Sequence, residues 1–294
     1  MPKQFNEADL KRRLKIGILA DVAFSIIQFA VGIMSGSLAL ISNGGHGLTD
    51  ALSLVISFIA AKVSMRGASD KKTYGYGRIT IIAALINSVL LILFAVFIFA
   101  EAYQRILHPT PVGGLPIVAT ALFGILISGG VTAILRKHNS DLNVRSVSLH
   151  MSYDAVAYIG TLLAGIIILL TGQTIFDPLI SIMIGVLMIL GAWKILEESF
   201  QILLEGSPKW VSVSAVRESI RNNKSVSEVH DLHIWSISSQ YAALSCHLVI
   251  RAKGMDECAR TVADVKKMLK AGFNIEHATI EIELKNTHVG KGHR

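Results

Sequence analysis

Charged residues are scarce in this chain. Lys, Arg, Asp and Glu make up 17% of its 294 residues, and 52% of them are hydrophobic. A soluble globular protein is about 25% charged and less apolar. The composition therefore excludes an ordinary soluble enzyme or binding module, and it predicts an integral membrane protein that has the lipid bilayer as its surroundings.

Cysteine is also rare, and hydrolytic motifs are missing. The two cysteines, Cys246 and Cys258, form no Cys-x-x-Cys pair and no cysteine-rich framework. We therefore expect no disulfide scaffold and a reduced cytosolic setting for both thiols.

The sequence has no His-Glu-x-x-His motif and no Ser/His/Asp or Cys/His order that suggests catalysis. An intramembrane metallohydrolase needs an open coordination position and a general base, so the sequence disfavours an enzyme.

Basic residues outnumber acidic ones, 28 to 21, which gives a net charge of +7. Nucleic-acid binding would account for this excess, but no stripe of basic and aromatic residues is present. The basic residues instead cluster between apolar stretches, as the positive-inside rule describes for membrane proteins. We therefore expect no nucleic-acid partner.

Long apolar stretches define the membrane part of the chain. Six spans are predicted, at Ile16–Met34, Leu38–Val63, Ile79–Ala100, Leu115–Leu135, Val147–Leu170 and Ile175–Leu196. Basic residues precede the first span and occupy the joins after the second and the fourth, so both termini are expected to be cytoplasmic. No small-residue cleavage site follows the first span, which we expect to be retained. The predicted boundaries are a basic N-terminus over 1–14, a membrane domain over 15–205, a cytoplasmic domain over 206–287 and a flexible tail over 288–294.

The residues after Glu205 change character. Helical and strand-like patterns alternate there as Pro208–Asn223, Val229–Ile237, Ala242–Arg251, Asp256–Ala271 and Ala278–Leu284. The order α-β-β-α-β predicts a small α+β domain with an open-faced antiparallel sheet.

Two copies of one pattern, His-x-x-x-Asp, lie inside separate apolar spans. They are His46 with Asp50 in the second span and His150 with Asp154 in the fifth. The spacing places each pair on one helical face, and depths at about 1.5 Å per residue put His46 level with Asp154. Two imidazoles and two carboxylates suit tetrahedral Zn²⁺. The alternative is that these groups only pack between helices, and Asn43 is either a partner of this cluster or a separate helix–helix contact.

These residues resemble the cation diffusion facilitator family of metal–proton antiporters. The resemblance covers about Leu14 to Leu284 and rests on the two His-Asp pairs together with Gly36–Leu40, Tyr74–Arg78, Asp177-Pro178, Leu204–Gly206 and Val229–Trp235. It implies six transmembrane helices, a cytoplasmic ferredoxin-like domain, a homodimer, and export of Zn²⁺ from the cytosol in exchange for protons. The His-Asp/His-Asp set resembles the zinc-preferring type.

The resemblance implies two further sets of residues. His230, His247 and Glu283 match a metal site of the cytoplasmic domain, with His277 as an additional ligand and Zn²⁺ as a regulatory ligand there. The alternative is an exposed polar sheet face with scattered histidines. Arg78 and Glu205 match an interlock between the third and sixth spans, for which ordinary positive-inside placement is the alternative.

Some family features are absent from this sequence. Lys72 and Tyr76 stand where other members have histidines in the loop after the second span, so we expect no metal there. Eukaryotic members often have a long His-rich loop between the fourth and fifth spans, so the short loop Arg136–Asn143 resembles that of a bacterial-type protein of the inner membrane. Alternative functions are transport of Cd²⁺, Co²⁺, Fe²⁺ or Mn²⁺ by the same fold, and a membrane-bound metal sensor without transport. The two histidines argue against Mn²⁺.

Overall fold

The structure, a computed structural model, describes residues 7–136, 142–251 and 254–284. Its first part is helical: α1 (Glu7–Ser35), α2 (Leu38–Ser64), α3 (Ile79–Leu107), α4 (Gly114–Arg136), α5 (Leu142–Thr171) and α6 (Phe176–Leu203). Among the described residues, five stretches are long and apolar enough to cross a bilayer, in α1, α2, α3, α5 and α6. The apolar part of α4, Gly114–Gly130, is shorter. The predicted helical membrane domain is confirmed, with five to six apolar helices.

The chain divides into two compact units. One comprises Met1–Ile56 with Ile86–Lys194, and the other comprises Ser57–Leu85 with Ile195–Arg294. The first contains most of the apolar helices. The second contains the end of α2, the start of α3 and the loop between them, together with the end of α6 and the C-terminal domain.

Side-chain size separates the inner and outer surfaces of the apolar helices. Large side chains such as Phe58, Leu126 and Leu170 are exposed, as expected for a surface that faces lipid. Small residues lie between helices: at Gly44 a Cβ atom would collide with the backbone of Phe29 on α1. Such small residues let helices approach closely without a side chain between them.

A buried carboxylate fixes the start of α2. Asp177, in the first turn of α6, accepts hydrogen bonds from the Ser37 hydroxyl at 2.5 Å, the Leu38 amide at 2.6 Å and the Ala39 amide at 3.2 Å. These amides are among the N–H groups that a helix start leaves without partners in the helix. Arg105 of α3 lies 3.9 Å from the same carboxylate and also donates to the Gly36 carbonyl. The position of α2, and therefore of His46 two turns later, is thus set by α3 and α6.

The C-terminal domain contains α7 (Val213–Arg221), β1 (Val226–Ser236), β2 (Ala242–Ile250), α8 (Met255–Phe273) and β3 (His277–Leu284). The predicted order α-β-β-α-β is confirmed. The sheet order is β1-β2-β3, with β1 antiparallel to β2 and β3 parallel to β2. The expectation of a wholly antiparallel sheet is therefore wrong. The physical reason is that α8 acts as a crossover, which brings the chain back so that β3 runs in the direction of β2.

One face of this sheet is the core of the domain. Leu244, Cys246, Leu248 and Ile250 of β2 pack with Val216 and Ile220 of α7 and with Val265 and Leu269 of α8. Because strand side chains alternate, Ser245 and His247 point to the other face. Burial raises the pKa of the Cys246 thiol to about 11, so this thiol stays protonated and unreactive at neutral pH. The apolar face stabilises the domain, and the opposite face is left for polar chemistry.

We expect Asp177→Ala to destabilise the membrane domain strongly. The change leaves the Leu38 and Ala39 amides and the Arg105 guanidinium without their buried acceptor, a kind of loss that costs about 3–5 kcal/mol. Thermal unfolding of the purified protein in detergent measures the effect. Glu101→Ala is the control, because it removes only the more exposed partner of Arg105. Equal unfolding temperatures for the two variants would contradict the role given to Asp177.

Candidate metal sites

Helices α2 and α5 bring the first group of ligands together. His46 Nε2 lies 3.7 Å from Asp50 Oδ2 on the same helix and 4.0 Å from Asp154 Oδ1 on α5. The first contact follows from the spacing of four residues, and the second requires the two helices to meet at one depth. His150 lies in α5, one turn before Asp154. Its side chain is outside the described residues, so its place in the ligand set stays a prediction.

A small cavity lies among these groups. Its volume is about 20 Å³, and its lining includes His46, Asp50, Asp154, Asn43 and Tyr158. A cavity of roughly 10–15 Å³ holds one water molecule, so the space suits a single small ion. Asp154 is the most buried of the three ligands, with 13% of its side chain exposed, against 26% for His46 and 29% for Asp50.

The contact between α2 and α5 has a polar anchor beside the cavity. The Asn43 side-chain amide donates a hydrogen bond of 2.8 Å to the Thr161 hydroxyl, which in turn donates 3.0 Å to the Ala157 carbonyl. The sequence left two roles open for Asn43, and the structure shows a helix–helix hydrogen bond. This bond fixes α2 against α5 one turn from His46.

Sequence reasoning missed one acidic residue of this cavity. Asp21, on α1, lines it together with Ser25 of the same helix. The signal was available, since Asp21 is an ionisable residue inside the first apolar span and such residues usually face a partner, a water cavity or an ion. Asp21 has no histidine partner at helical spacing and therefore lies outside the repeated His-x-x-x-Asp pattern.

Three strands build a second group of ligands on the polar face of the sheet. His230 of β1 pairs in register with His247 of β2, and their ring centroids are 5.2 Å apart. Glu283 of β3 reaches both: its carboxylate oxygens lie 3.2 Å from His230 Nε2 and 2.8 Å from His247 Nδ1. One potential ligand atom from each residue lies within 4.8 Å of the others. Among the described residues this group has the geometry of a metal site.

A bulge in β1 extends the polar face beside this group. The four residues of β1 from His230 to His233 oppose three residues of β2, His247 to Ser245, and Asp231 within the bulge has a φ of 49°. The extra residue places His230 and His233 on the same face, although an odd spacing would separate them in a regular strand. Asp231 lies 3.1 Å from His233 and 3.7 Å from His247.

His277 does not join this group within one chain, which corrects the prediction that it is an additional ligand. It begins β3, where it pairs with Ala243, whereas Glu283 pairs with Val249. Six residues of extended strand span about 20 Å, too far for one ion. The ring of His277 packs edge-on against Tyr74 instead, with centroids 5.4 Å apart.

Nearby acids raise the pKa of His247 above that of an ordinary imidazole. The hydrogen bond to Glu283 raises the pKa of His247, and the charges of Glu281, Glu283 and Asp231 raise it further against the opposing effect of burial. A bound metal ion requires the neutral imidazole. A metal ion bound at this group would therefore displace a proton from His247.

Arg78 and Glu205 form the expected ion pair. Arg78 Nη2 lies 3.3 Å from Glu205 Oε1, with 37% of the arginine and 67% of the glutamate side chain exposed. Glu205 follows α6 in a left-handed conformation, with φ 62°. An ion pair this exposed contributes about 0–1 kcal/mol. In the single chain the carboxylate of Glu205 is mostly solvated, and the role of the pair as an interlock stays a prediction.

Comparisons with known proteins identify the family of this chain. The model of the cation efflux transmembrane domain matches residues 14–204, and that of the cation efflux protein cytoplasmic domain matches residues 208–285. The zinc transporter ZitB of Pectobacterium atrosepticum is 35% identical over 94% of this chain and 87% of its own length. A cadmium, cobalt and zinc/H(+)-K(+) antiporter of Bacillus subtilis is 33% identical over 98% of this chain and 90% of its own.

A solved structure matches about a quarter of the chain. It is the metal-bound C-terminal domain of the CzcD transporter from Cuprividus metallidurans, which is 34% identical and covers 25% of this chain and 100% of that chain, with a TM-score of 0.23. The two family models together extend over nearly the whole sequence. The chain therefore belongs to the cation efflux, or cation diffusion facilitator, family, and it is a multi-pass membrane transporter of metal cations rather than an enzyme.

Proposed function

We propose that this protein exports Zn²⁺ from the cytosol in exchange for protons, through an intramembrane site formed by His46, Asp50, His150 and Asp154. The observation that carries the proposal is the contact of His46 with carboxylates of two different helices beside a cavity for one small ion. Two neutral imidazoles and two carboxylates balance the charge of a divalent cation and match its tetrahedral preference.

Proton coupling follows from the ligand chemistry. The metal binds neutral imidazole and ionised carboxylate, so each binding event releases the protons that these groups carried. Imidazole ordinarily titrates near pH 6.5, between a neutral cytosol and an acidic exterior. A site open to the cytosol loses protons and takes Zn²⁺, and a site open to the exterior exchanges Zn²⁺ for protons.

The proposed setting is the inner membrane of a bacterium, with both termini in the cytoplasm. Six spans satisfy this orientation, with α4 as the fourth despite its shorter apolar part. The cytoplasmic domain is proposed to be ferredoxin-like and to hold two copies of the chain together as a homodimer. Its helices cover one face of a three-stranded sheet, which is compatible with that fold.

The choice of ion is part of the proposal. Zn²⁺ fits a set of two nitrogen and two oxygen donors, and the zinc transporter ZitB is a relative of this chain. Cd²⁺ and Co²⁺ are proposed as further substrates, because the Bacillus subtilis relative bears their names too. Fe²⁺ and Mn²⁺ are the alternatives within the same fold, and a metal sensor without flux is the alternative outside transport.

The group His230, His247 and Glu283 is proposed as a regulatory zinc site. An ion there would tie β1, β2 and β3 together at one point of the sheet. It would also replace the proton that Glu283 and its neighbours favour on His247. The site would thus report the cytosolic zinc level, with protons as competitors.

Asp154→Ala tests the transport site. The change deletes a ligand and leaves His46 with a single carboxylate, so zinc flux into proteoliposomes should fall by at least about 100-fold, the upper end of the loss seen when a partner of a ligand is removed. A zinc-sensitive dye inside the vesicles measures the flux. Glu197→Ala, which removes an exposed carboxylate of α6, is the control. Near-normal flux in Asp154→Ala would reject the assignment.

The regulatory site should be pH-dependent. In full-length protein that carries Asp154→Ala, zinc affinity should weaken by about tenfold per pH unit once the pH falls below the raised pKa of His247. In the absence of metal, the stability of the fold depends on pH in the opposite direction. The protonated histidine stabilises the fold below pH 6.5, and this contribution is lost as pH rises through the raised pKa. Calorimetric titration between pH 8 and pH 6 measures the affinity. Adding His247→Ala should remove this binding and its pH dependence, and unchanged stoichiometry would refute the site.

The Arg78–Glu205 pair is tested by a charge swap. Arg78→Glu should slow zinc transport because two acids then face each other, and Glu205→Arg added to it should restore part of the rate. The pair is largely exposed, so the coupling should not exceed about 1 kcal/mol. Lys71→Glu changes the same charge elsewhere in the loop and serves as the control. Purely additive losses in the double variant would show that the ion pair has no role in transport.

A further inference from the structure

Asp21 is an acidic residue of the transport cavity outside the proposed ligand set. It lies on α1, whereas His46 and Asp50 lie on α2 and Asp154 lies on α5. Its side chain nevertheless lines the same cavity of about 20 Å³. Asp21, Asp50 and Asp154 are all close enough to the buried Tyr158 to interact with it electrostatically. The cavity therefore has a third acidic side, contributed by a third helix.

Helix geometry places Asp21 at one end of the cavity. The helices α1 and α2 are joined by a two-residue turn, so Ser35 and Leu38 mark the same end of both. At 1.5 Å per residue, Asp21 lies roughly 21 Å below that end, and Asp50 lies roughly 18 Å below it. The alignment is supported by Ser25, whose side chain fills the space where a Cβ atom of Gly47 would stand. Asp21 is thus displaced from the ligands toward the end of the helix that we assign to the cytosol.

The same face of α1 carries two further polar residues. Asp21, Ser25 and Gln28 follow the spacing i, i+4, i+7, which puts them on one side of the helix. Gln28 is fully buried, and its side-chain amide has no hydrogen-bonding partner among the described residues. Leaving such a group without a partner costs about 1–3 kcal/mol, so a purely structural role would not favour it. Gln28 lies roughly 10 Å below the end of α1, on the opposite side of the ligands from Asp21.

We propose that this face of α1 forms the third wall of the ion pathway, and that Asp21 is a further substrate-binding residue at its cytosolic end. Asp50 and Asp154 balance the charge of a divalent cation, and Asp21 adds a third negative charge. In a cavity with low-dielectric walls, this charge attracts the cation more strongly than an exposed carboxylate would. Asp21 therefore sets how tightly the cation is captured from the cytosol, and the four ligands hold it for transport. This inference rests on the proposed function.

The test separates capture of the cation, measured as KM, from the maximal rate of transport. Zinc uptake by proteoliposomes should show a KM for Asp21→Asn that is at least about tenfold higher than that of the unchanged protein, with a maximal rate within about twofold. Asp21→Glu restores the charge and should recover most of the affinity. Asp50→Asn should instead lose the maximal rate, because it removes a ligand. Glu197→Gln, which neutralises an exposed acid of α6, is the matched control and should leave both constants unchanged.

Two results for Asp21→Asn would contradict the proposed role of Asp21. An unchanged KM in Asp21→Asn would overturn the inference, and so would a loss of maximal rate without a change in KM, which is the effect of a purely structural residue. If Asp21→Asn unfolds, Asp21→Ser takes its place in the same comparison. If Asp21→Ser leaves KM unchanged, the inference also fails.

Failure of the proposed function is distinguished by binding. If the unchanged protein moves no zinc, transport is refuted, and the role of Asp21 is then measured as zinc binding to full-length His247→Ala protein in detergent. Asp21→Asn in that background should raise the Kd at least about tenfold. An equal Kd would overturn the inference independently of any flux.

Discussion

The proposed transport site depends on one interaction, the contact of His46 with a carboxylate on its own helix and a second carboxylate on α5. Ionisable groups in an apolar span are costly, and they persist where they face each other or an ion. The surrounding residues make the contact feasible. Glycines beside His46 let α1 approach α2, the Asn43–Thr161 hydrogen bond holds α2 to α5, and Asp177 fixes where α2 begins.

The two candidate metal groups use the same chemistry in different surroundings. Both combine imidazole and carboxylate, but the group in the membrane domain is contributed by separate helices, whereas His230, His247 and Glu283 lie on adjacent strands of one sheet. A site between helices can change when the helices move, which suits an ion that must enter and leave. A site on a sheet keeps its geometry, which suits an ion that is sensed.

The sequence predicted the features that depend on local spacing. His46 and Asp50 are one helical turn apart, so their contact follows from the helix itself, and the depth of the spans then pointed to Asp154 as the partner. The order of helices and strands in the C-terminal domain was likewise readable from periodicity. The direction of β3 was not, because strand patterns are the same in parallel and antiparallel pairs and only the crossover through α8 decides.

Features that depend on distant residues could not be predicted. The hydrogen bonds of Asp177 join α6 to residues about 140 positions earlier. The sequence around either partner contains no local pattern that indicates the other. His277 and Glu283 share one face of β3 by alternation, but alternation does not limit the distance along the strand. The position of Asp21 in an apolar span was visible in the sequence. Its place beside His46 in one cavity depends on the folded chain and could not be predicted.

The most direct test of proton-coupled metal export is simultaneous recording of zinc and pH in proteoliposomes that contain the full-length protein. We expect zinc entry to be accompanied by proton movement in the opposite direction. We also expect an imposed pH gradient alone to drive zinc against its own gradient. Zinc that binds the protein without crossing the membrane, or that crosses without any proton movement, would contradict proton-coupled export.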